Sequence, residues 1–346
     1  MPCRIALVYD LQPPHAPADH WAEWDRPETV AAIAQGLSRL GHTVCRVESA
    51  HAFRRQLETL QRTVDLVFSL AEGRHSRTRE AQVPTLCEFV GLPYVGSTPP
   101  TLALALDKWM TKRLWQAEGL PTPPGACVAR LEALDSVRLP PLPLIVKPRY
   151  EGSGMGVDVD AVVHDAAHLR RRVAWTLTTY DEPVLVEAFI RGGEVTVCLL
   201  GDPLEALPPV QRHVDPTTTL SCHIVHQSWR APAPQWQLPL TMTPTLEQRC
   251  RDLALRAAQA LACRDVARVD LRVDATGRPW LLEVNPLPAL DSESTFALLA
   301  DTLGWGFPGL LQRILEPAIK RFTVSGNLFQ PSRHFSTGCQ QNILHY

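Results

Sequence analysis

The 346-residue sequence lacks the features that mark membrane, secreted and nucleic-acid-binding chains. No window approaches about 18 uninterrupted apolar residues, so no membrane-spanning helix is expected. The N-terminus has no basic-then-apolar pattern, and a strand is predicted as early as residues 3–9, which argues against a cleaved leader. An excess of one charge is missing too. The formal net charge is −2, which leaves no global field for nucleic acid or an anionic membrane. The nine cysteines are an odd number without CxxC spacing, which fits neither a disulfide framework nor a zinc site. Cys45, Cys87, Cys198 and Cys263 sit in apolar surroundings and are expected to be buried reduced thiols. No internal repeat is found. The simplest reading is a cytoplasmic protein with neither nucleic acid nor membrane as partner.

What is present is an ordinary globular balance, 45% hydrophobic and 20% charged, on a chain long enough for two or three domains. The 31 prolines exceed the average usage of about 5% and cluster at predicted turns, where they stiffen loops. Residues 1–96 alternate strands (4–9, 43–47, 64–70, 92–95) with helices (27–40, 52–61, 79–90), the pattern of a doubly wound parallel sheet. Function in such units sits at the carboxyl ends of strands, here 10–25 and 71–79. Residues 97–183 form a second unit: a helix at 101–118, a strand at 144–147, a glycine-rich loop at 151–156, a strand at 157–160 and a helix at 166–179. A third unit, 184–320, holds strands at 184–189 and 194–200, a helix at 245–261, a hairpin of strands 267–273 and 280–284, and a helix at 295–303. Its polar stretch 207–236 has little periodicity, and a loop of that length is more often functional than accidental. The tail 321–346 reads as flexible or partner-bound.

Three segments carry chemistry. In the hairpin at 268–285, alternation puts Arg268, Asp270 and Arg272 on one face of the first strand. Glu283 and Asn285 share a face of the second. If the strands pair, Asp270, Glu283 and Asn285 converge as hard oxygen donors with open coordination positions, which suits Mg²⁺ bound to substrate phosphates. A solvated face of an ordinary hairpin has the same pattern. Next, Lys147 ends a strand just before Glu151-Gly-Ser-Gly-Met-Gly156. Glycines let consecutive N–H groups approach a phosphate chain, and the lysine adds a point charge. No GK[ST] ends this loop and a strand follows it, so it is neither a Walker A motif nor a Rossmann fingerprint. A purely structural turn is the alternative. Third, Glu187 ends a strand and is followed by apolar residues and then by Glu194. Extended backbone between apolar walls can read an adenine edge, and a carboxylate can accept from ribose hydroxyls. Glutamates at strand ends are also commonplace solvated groups.

Taken in order, Lys108 with Lys112, Lys147 with the glycine loop, Glu187 to Glu194, Arg268-Val-Asp270 and Glu283-Val-Asn285-Pro286 resemble the ATP-grasp superfamily. Within it, the sequence is most similar to D-alanine–D-alanine ligase and its carboxylate–amine ligase relatives. Pro93-Tyr-Val-Gly-Ser97, Leu106-Asp-Lys108 and Glu187 with Phe189 share that likeness, which runs from about residue 66 to about residue 300. The resemblance implies an α/β ATP-grasp fold: three α/β subdomains, with the nucleotide clamped between the central and C-terminal ones. It implies ATP and two Mg²⁺ ions (Mn²⁺ as a substitute), small amino-acid-like substrates and a homodimer. By position, Lys108 and Lys147 hold phosphates, while Ser153, Gly154 and Gly156 close over them. Glu187, with the backbone of Ala188, Phe189 and Ile190, reads adenine, and Glu194 reads the ribose. Asp270, Glu283 and Asn285 take the metal ions. Arg268 and Ser153 are catalytic, the arginine by stabilising charge on the acyl intermediate, and Ser294 lies near the second substrate's carboxylate.

The implied reaction joins a carboxylate, activated as acyl phosphate, to an amine and releases ADP and phosphate. Alternatives are D-alanine–D-alanine ligase proper, capture of the acyl phosphate internally or by a non-amine, and nucleotide binding without turnover. The intact set of lysines, arginine and metal donors argues against the last. The substrate half departs from the family. Where the family has His-Gly after the third strand, this chain reads Ala71-Glu-Gly-Arg-His-Ser76. The loop 10–25 carries Trp21, Glu23, Trp24 and Asp25, with no clear counterpart of the family's glutamate after the first strand. The candidate lid, 207–236, offers His213, His223 and His226 instead of a tyrosine-containing sequence. The first substrate is therefore expected to differ from D-alanine, with Asp25, Glu72 and Arg74 as candidate contacts. Arg74, Arg77 or Arg79 pairs with an anionic group on it, unless they are only a solvated basic helix start.

Overall fold

The structure, a computed structural model, describes residues 2–13, 21–74, 76–215, 220, 236–237 and 242–324. Strand β1 (Arg4–Tyr9) leads to α1 (Pro27–Arg39), β2 (Thr43–Glu48), the short helices α2 (Ala50–Arg55) and α3 (Leu57–Thr63), β3 (Leu66–Ser69) and α4 (Gln82–Val90). The strands form a parallel sheet ordered β2-β1-β3. Both faces of β1 are covered, so it is a continuous apolar run. Ile5 and Leu7 pack with Ile33 and Leu37 of α1, while Ala6 and Val8 pack with Phe53, Leu60 and Cys87 on the other face. The expected strand at 92–95 is only a bridge between Val67 and Tyr94. Cys87, Cys198 and Cys263 are buried free thiols, but Cys45 is exposed, contrary to expectation. It lies on the edge strand β2, which buries only Val47.

The helix expected at 101–118 is two helices, α5 (Pro99–Leu106) and α6 (Lys108–Ala117). Asp107 makes the break. Its backbone is extended, its side chain caps α6 by accepting from Met110 N at 3.0 Å, and its carboxylate holds Arg149 at 2.6 Å. The break sets Lys108 at the start of α6, against the cleft described below. Strands β4 (Gly125–Val128), β5 (Leu144–Pro148) and β6 (Val162–Val163), helix α7 (Ala166–Tyr180) and strand β7 (Val184–Ala188) follow. They include an antiparallel sheet ordered β4-β7-β5-β6. Strand β7, grouped by sequence with the third unit, is hydrogen-bonded between β4 and β5. In place of the strand expected at 157–160, a 3-10 turn at Val159–Ala161 leads into β6.

The last sheet is built from β8 (Gly193–Gly201), β9 (Leu204–Ala206), β10 (Val210–Arg212), β11 (Trp236–Gln237), β12 (Asp265–Val273) and β13 (Pro279–Asn285). Its order is β11-β10-β8-β12-β13, with β9 also on β8. Helix α8 (Pro244–Ala260) covers one face, packing Leu253 and Ala257 against Val197, Leu271 and Leu281. The chain continues through α9 (Thr295–Thr302) and α10 (Gly306–Val324). The second of these has no counterpart in the sequence reading. Leu310, Leu311 and Ile314 of α10 share a core with Ile33 and Leu37, which ties the C-terminal unit to the N-terminal sheet. Among the described residues, no helix is long and apolar enough to cross a membrane. His75, most of the candidate lid with His223 and His226, and the tail from residue 325 lie outside the described residues.

Candidate active site

A cleft of about 260 Å³ lies between the central sheet and the C-terminal sheet. Strand β12 shows how the sequence builds one wall. Val269, Leu271 and Val273 enter the core beneath, so alternation turns Arg268, Asp270 and Arg272 to the cleft. The antiparallel register then sets Asn285 opposite Arg268 and Glu283 opposite Asp270, with an irregularity after Asp270. Asp270 accepts from Thr196 Oγ1 at 2.6 Å and from Asn285 Nδ2 at 3.4 Å, and Arg268 pairs with it at 2.9 Å. Glu283 reaches Lys108 Nζ at 3.3 Å. Burial pushes its carboxyl up, but Lys108, Lys147 and Arg268 overcome this and hold it at about 2, so it is ionised at any working pH. Burial alone would pull Lys108 down, yet Glu283 and Glu23 leave its amine above the ordinary value.

The opposite wall comes from β5, β7 and the glycine loop. Lys147 Nζ meets Glu187 Oε1 at 2.6 Å, and Lys112 Nζ meets Oε2 at 2.9 Å. Burial opposes ionisation of Glu187, but the two ammonium groups hold its carboxyl below the usual range. Burial draws Lys112 down to about 8, which leaves it charged at neutral pH. Ala188, Phe189 and Ile190 line the cleft beyond Glu187. Glu194 faces Arg212 at 3.2 Å and Arg272 at 3.4 Å, and Arg272 also lies over the Phe189 ring, 5.1 Å from its centre. Ser153 and Gly154 line the cleft with left-handed backbones. Gly156 lies off it. There φ is +68° and a Cβ would sit 2.6 Å from Pro148 Cγ, so glycine is needed for the turn and not for ligand contact.

The donor chemistry fits Mg²⁺ bound together with phosphates. Among the described residues no three of His, Cys, Asp and Glu form a ready-made metal centre. Two carboxylates and one amide converge instead, and Mg²⁺ is ordinarily held by one or two carboxylates plus substrate phosphates.

Comparison with known proteins gives the family and the fold. The family model described as D-ala D-ala ligase C-terminus matches residues 114–316. Uncharacterized protein y4sG of Sinorhizobium fredii (strain NBRC 101917 / NGR234) is 34% identical over 317 residues, 88% of this chain and 91% of that protein. D-alanine–D-alanine ligase of Stutzerimonas stutzeri (strain A1501) is 33% identical over 292 residues, 84% of this chain and 88% of that one. The chain belongs to the D-alanine–D-alanine ligase family of ATP-grasp proteins. The crystal structure of D-alanine–D-alanine ligase from Bacillus anthracis complexed with ATP has the same fold. Its TM-score is 0.72 at 21% identity, covering 94% of this chain and 100% of that one.

The substrate side of this family member is less as expected. Glu72 lines a cavity next to the cleft. Arg74 stacks on Trp21 at 3.7 Å, on the wall of a separate cavity with Trp24 and Tyr150. Arg79, one of three arginines offered for an anionic substrate group, is buried and already neutralised: it bonds Glu23 at 2.7 Å and the Tyr150 carbonyl at 3.2 Å, with Glu151 3.6 Å away. Asp25 pairs its backbone with Asp10 and Gln12 and lines none of these three cavities. Burial, Asp291 and Asp10 raise its carboxyl to about 7. Ser294 caps α9, accepting from Ala297 N at 3.2 Å and donating to the Asp291 carbonyl at 2.7 Å. That cap keeps its hydroxyl away from the cleft lining.

Sequence reasoning gave no role to Glu80, Glu151, Arg212 and Arg272, although alternation had already put Arg272 on the face of Arg268 and Asp270. Lys112 was grouped with Lys108 but left without a role. It is 1% exposed and bonds Thr122 Oγ1 at 2.9 Å as well as Glu187, so it braces the Glu187–Lys147 pair from behind. Lys112→Met is expected to leave Glu187 under-compensated and to cost about 3–5 kcal/mol. Denaturant unfolding of the variant checks this, and an unchanged midpoint would remove the bracing role.

Proposed function

We propose that the chain is an ATP-dependent carboxylate–amine ligase that activates a carboxylate as acyl phosphate and joins it to an amine. The substrates are amino-acid-like, and ADP and phosphate are released. The observation that carries this reading is the convergence of Lys108, Lys147 and Arg268 with Asp270 and Glu283 on one cleft, with Asn285 beside Asp270 on the adjoining cavity. A carboxylate is a poor electrophile, so its oxygen must first become a leaving group. Lys108 and Lys147 bind and orient phosphate oxygens, and Glu187 holds Lys147 in place at 2.6 Å. Asp270, Glu283 and Asn285 hold Mg²⁺, which when bound neutralises phosphate charge during transfer. The backbone at Ala188–Ile190, with Phe189 under Arg272, receives the adenine, and Glu194 accepts from the ribose. Arg268, fixed by Asp270, stabilises the oxyanion that forms as the amine attacks. The glycine loop excludes water, which would otherwise hydrolyse the acyl phosphate.

A pairwise amino-acid screen for ATP-dependent phosphate release, with mass spectrometry on the products, tests this reading. Phosphate release that requires two amino substrates, with a product heavier by one condensation, is expected. Release with a single substrate and no condensed product would point to internal capture. No release from any pair, with ATP bound, would sink the ligase reading. A second reading, D-alanine in both positions, draws on relatives named as D-alanine–D-alanine ligases. A screen in which D-alanine with itself is the best pair would favour it.

A further inference from the structure

Lys108, Ser153, Arg268 and Glu283 also wall a smaller cavity beside the nucleotide cleft, about 70 Å³ against 260 Å³. Its other walls are Glu23, Glu72, Glu80 and the segment 285–289. Most charges there are matched within the protein. Glu283 faces Lys108 at 3.3 Å, Arg268 faces Asp270 at 2.9 Å, and Glu23 faces Arg79 at 2.7 Å while accepting from Gly152 N. The side chains of Glu72 and Glu80 are different: neither makes a hydrogen bond or ion pair among the described residues. Glu80 is only 8% exposed and lines the cavity, so its carboxyl is largely withdrawn from water with no partner among the described residues. Burying an unpaired carboxylate is unfavourable and drives it towards the neutral acid, so positive charge from an occupant would restore the ionised form of Glu80 and of the half-buried Glu72 beside it. Burial, with Glu80 and Glu23 close by, pushes Glu72 well above the usual carboxylate range; burial lifts Glu80 to about 8 against the pull of Arg79.

Resting on the carboxylate-activation reading above, the geometry points to a short diamino monocarboxylic acid as the molecule activated here. Its carboxylate lies at Arg268 and its two ammonium groups at Glu72 and Glu80. One end of the cavity is cationic and adjoins the nucleotide cleft, and the other carries two unpaired carboxyls that ionise against a cation, so a zwitterion with excess positive charge fits in one orientation only. The small volume favours a chain of few atoms. In the reaction the substrate carboxylate oxygen attacks the γ-phosphorus of ATP, the bond to the β-bridging oxygen breaks, and ADP leaves. The acyl phosphate then loses phosphate as an amine nitrogen bonds to the acyl carbon and gives up a proton.

Hydroxylamine can stand in for the amine, so activation is measurable without the second substrate. With the full chain, ATP and Mg²⁺, hydroxamate formation is compared for both enantiomers of 2,3-diaminopropionate, alanine and aspartate. One diaminopropionate enantiomer is expected to exceed alanine and aspartate in kcat/KM by about tenfold or more. Glu72→Gln and Glu80→Gln should each reduce that preference by about tenfold, with KM for ATP within about twofold of wild type. Equal or better use of alanine or aspartate overturns the inference but keeps the ligase reading. An unchanged preference in both variants also overturns it. No hydroxamate from any acid overturns the ligase reading and this inference together.

Discussion

Glu283→Gln is expected to reduce turnover by roughly a thousandfold or more while the fold persists, because two functions are lost with one charge. Glu283 is an anionic oxygen donor opposite Asp270, and it is also the carboxylate that holds Lys108 at 3.3 Å. Glutamine keeps the volume and a carbonyl oxygen but cannot balance a divalent ion or a buried ammonium. Lys108 Nζ would keep the Glu151 carbonyl at 2.6 Å as its anchor, so the helix start survives. Steady-state phosphate release, beside circular dichroism of the same preparation, measures both halves. Activity within tenfold of wild type would refute the metal-donor role.

Arg268→Met should lower kcat by about 10²–10³-fold and shift KM for ATP by less than about threefold. The guanidinium is held at 2.9 Å by Asp270 and borders both cavities, so under the proposed function it meets the junction of nucleotide and carboxylate, not the nucleotide alone. Arg268→Lys should recover only part of the loss, since an ammonium lacks the planar fork. A variant with normal kcat and weak ATP binding would contradict the oxyanion role and make Arg268 a nucleotide residue.

The grouping of side chains on the cleft proposed for the nucleotide was legible in the sequence because it depends on local order. Strand alternation and a short turn are enough to bring Asp270, Glu283 and Asn285 together, and a strand running into glycines is enough to set Lys147 beside a loop. Residues tens of positions apart in sequence could not be paired this way. The helix break at Asp107 depends on Arg149, 42 positions away, and the state of Arg79 depends on Glu23, 56 positions away. Sequence periodicity could rank the cysteines by their apolar neighbours, yet it could not tell that β2 is an edge strand and leaves Cys45 exposed.

What the sequence by itself determined is the α/β class, much of the run of strands and helices, and the local grouping of Arg268, Asp270, Glu283 and Asn285 on one hairpin, since each follows from spacing along the chain. Only the tertiary structure decided how the charges balance. It neutralised Arg79, committed Glu187 to two lysines and Ser294 to a helix cap, and left the Glu72 and Glu80 side chains on a cavity with no ion-pair partner among the described residues. A side chain's charge is written in the sequence, but whether it is spent within the protein or kept for a ligand depends on which distant groups the fold brings within a few ångströms.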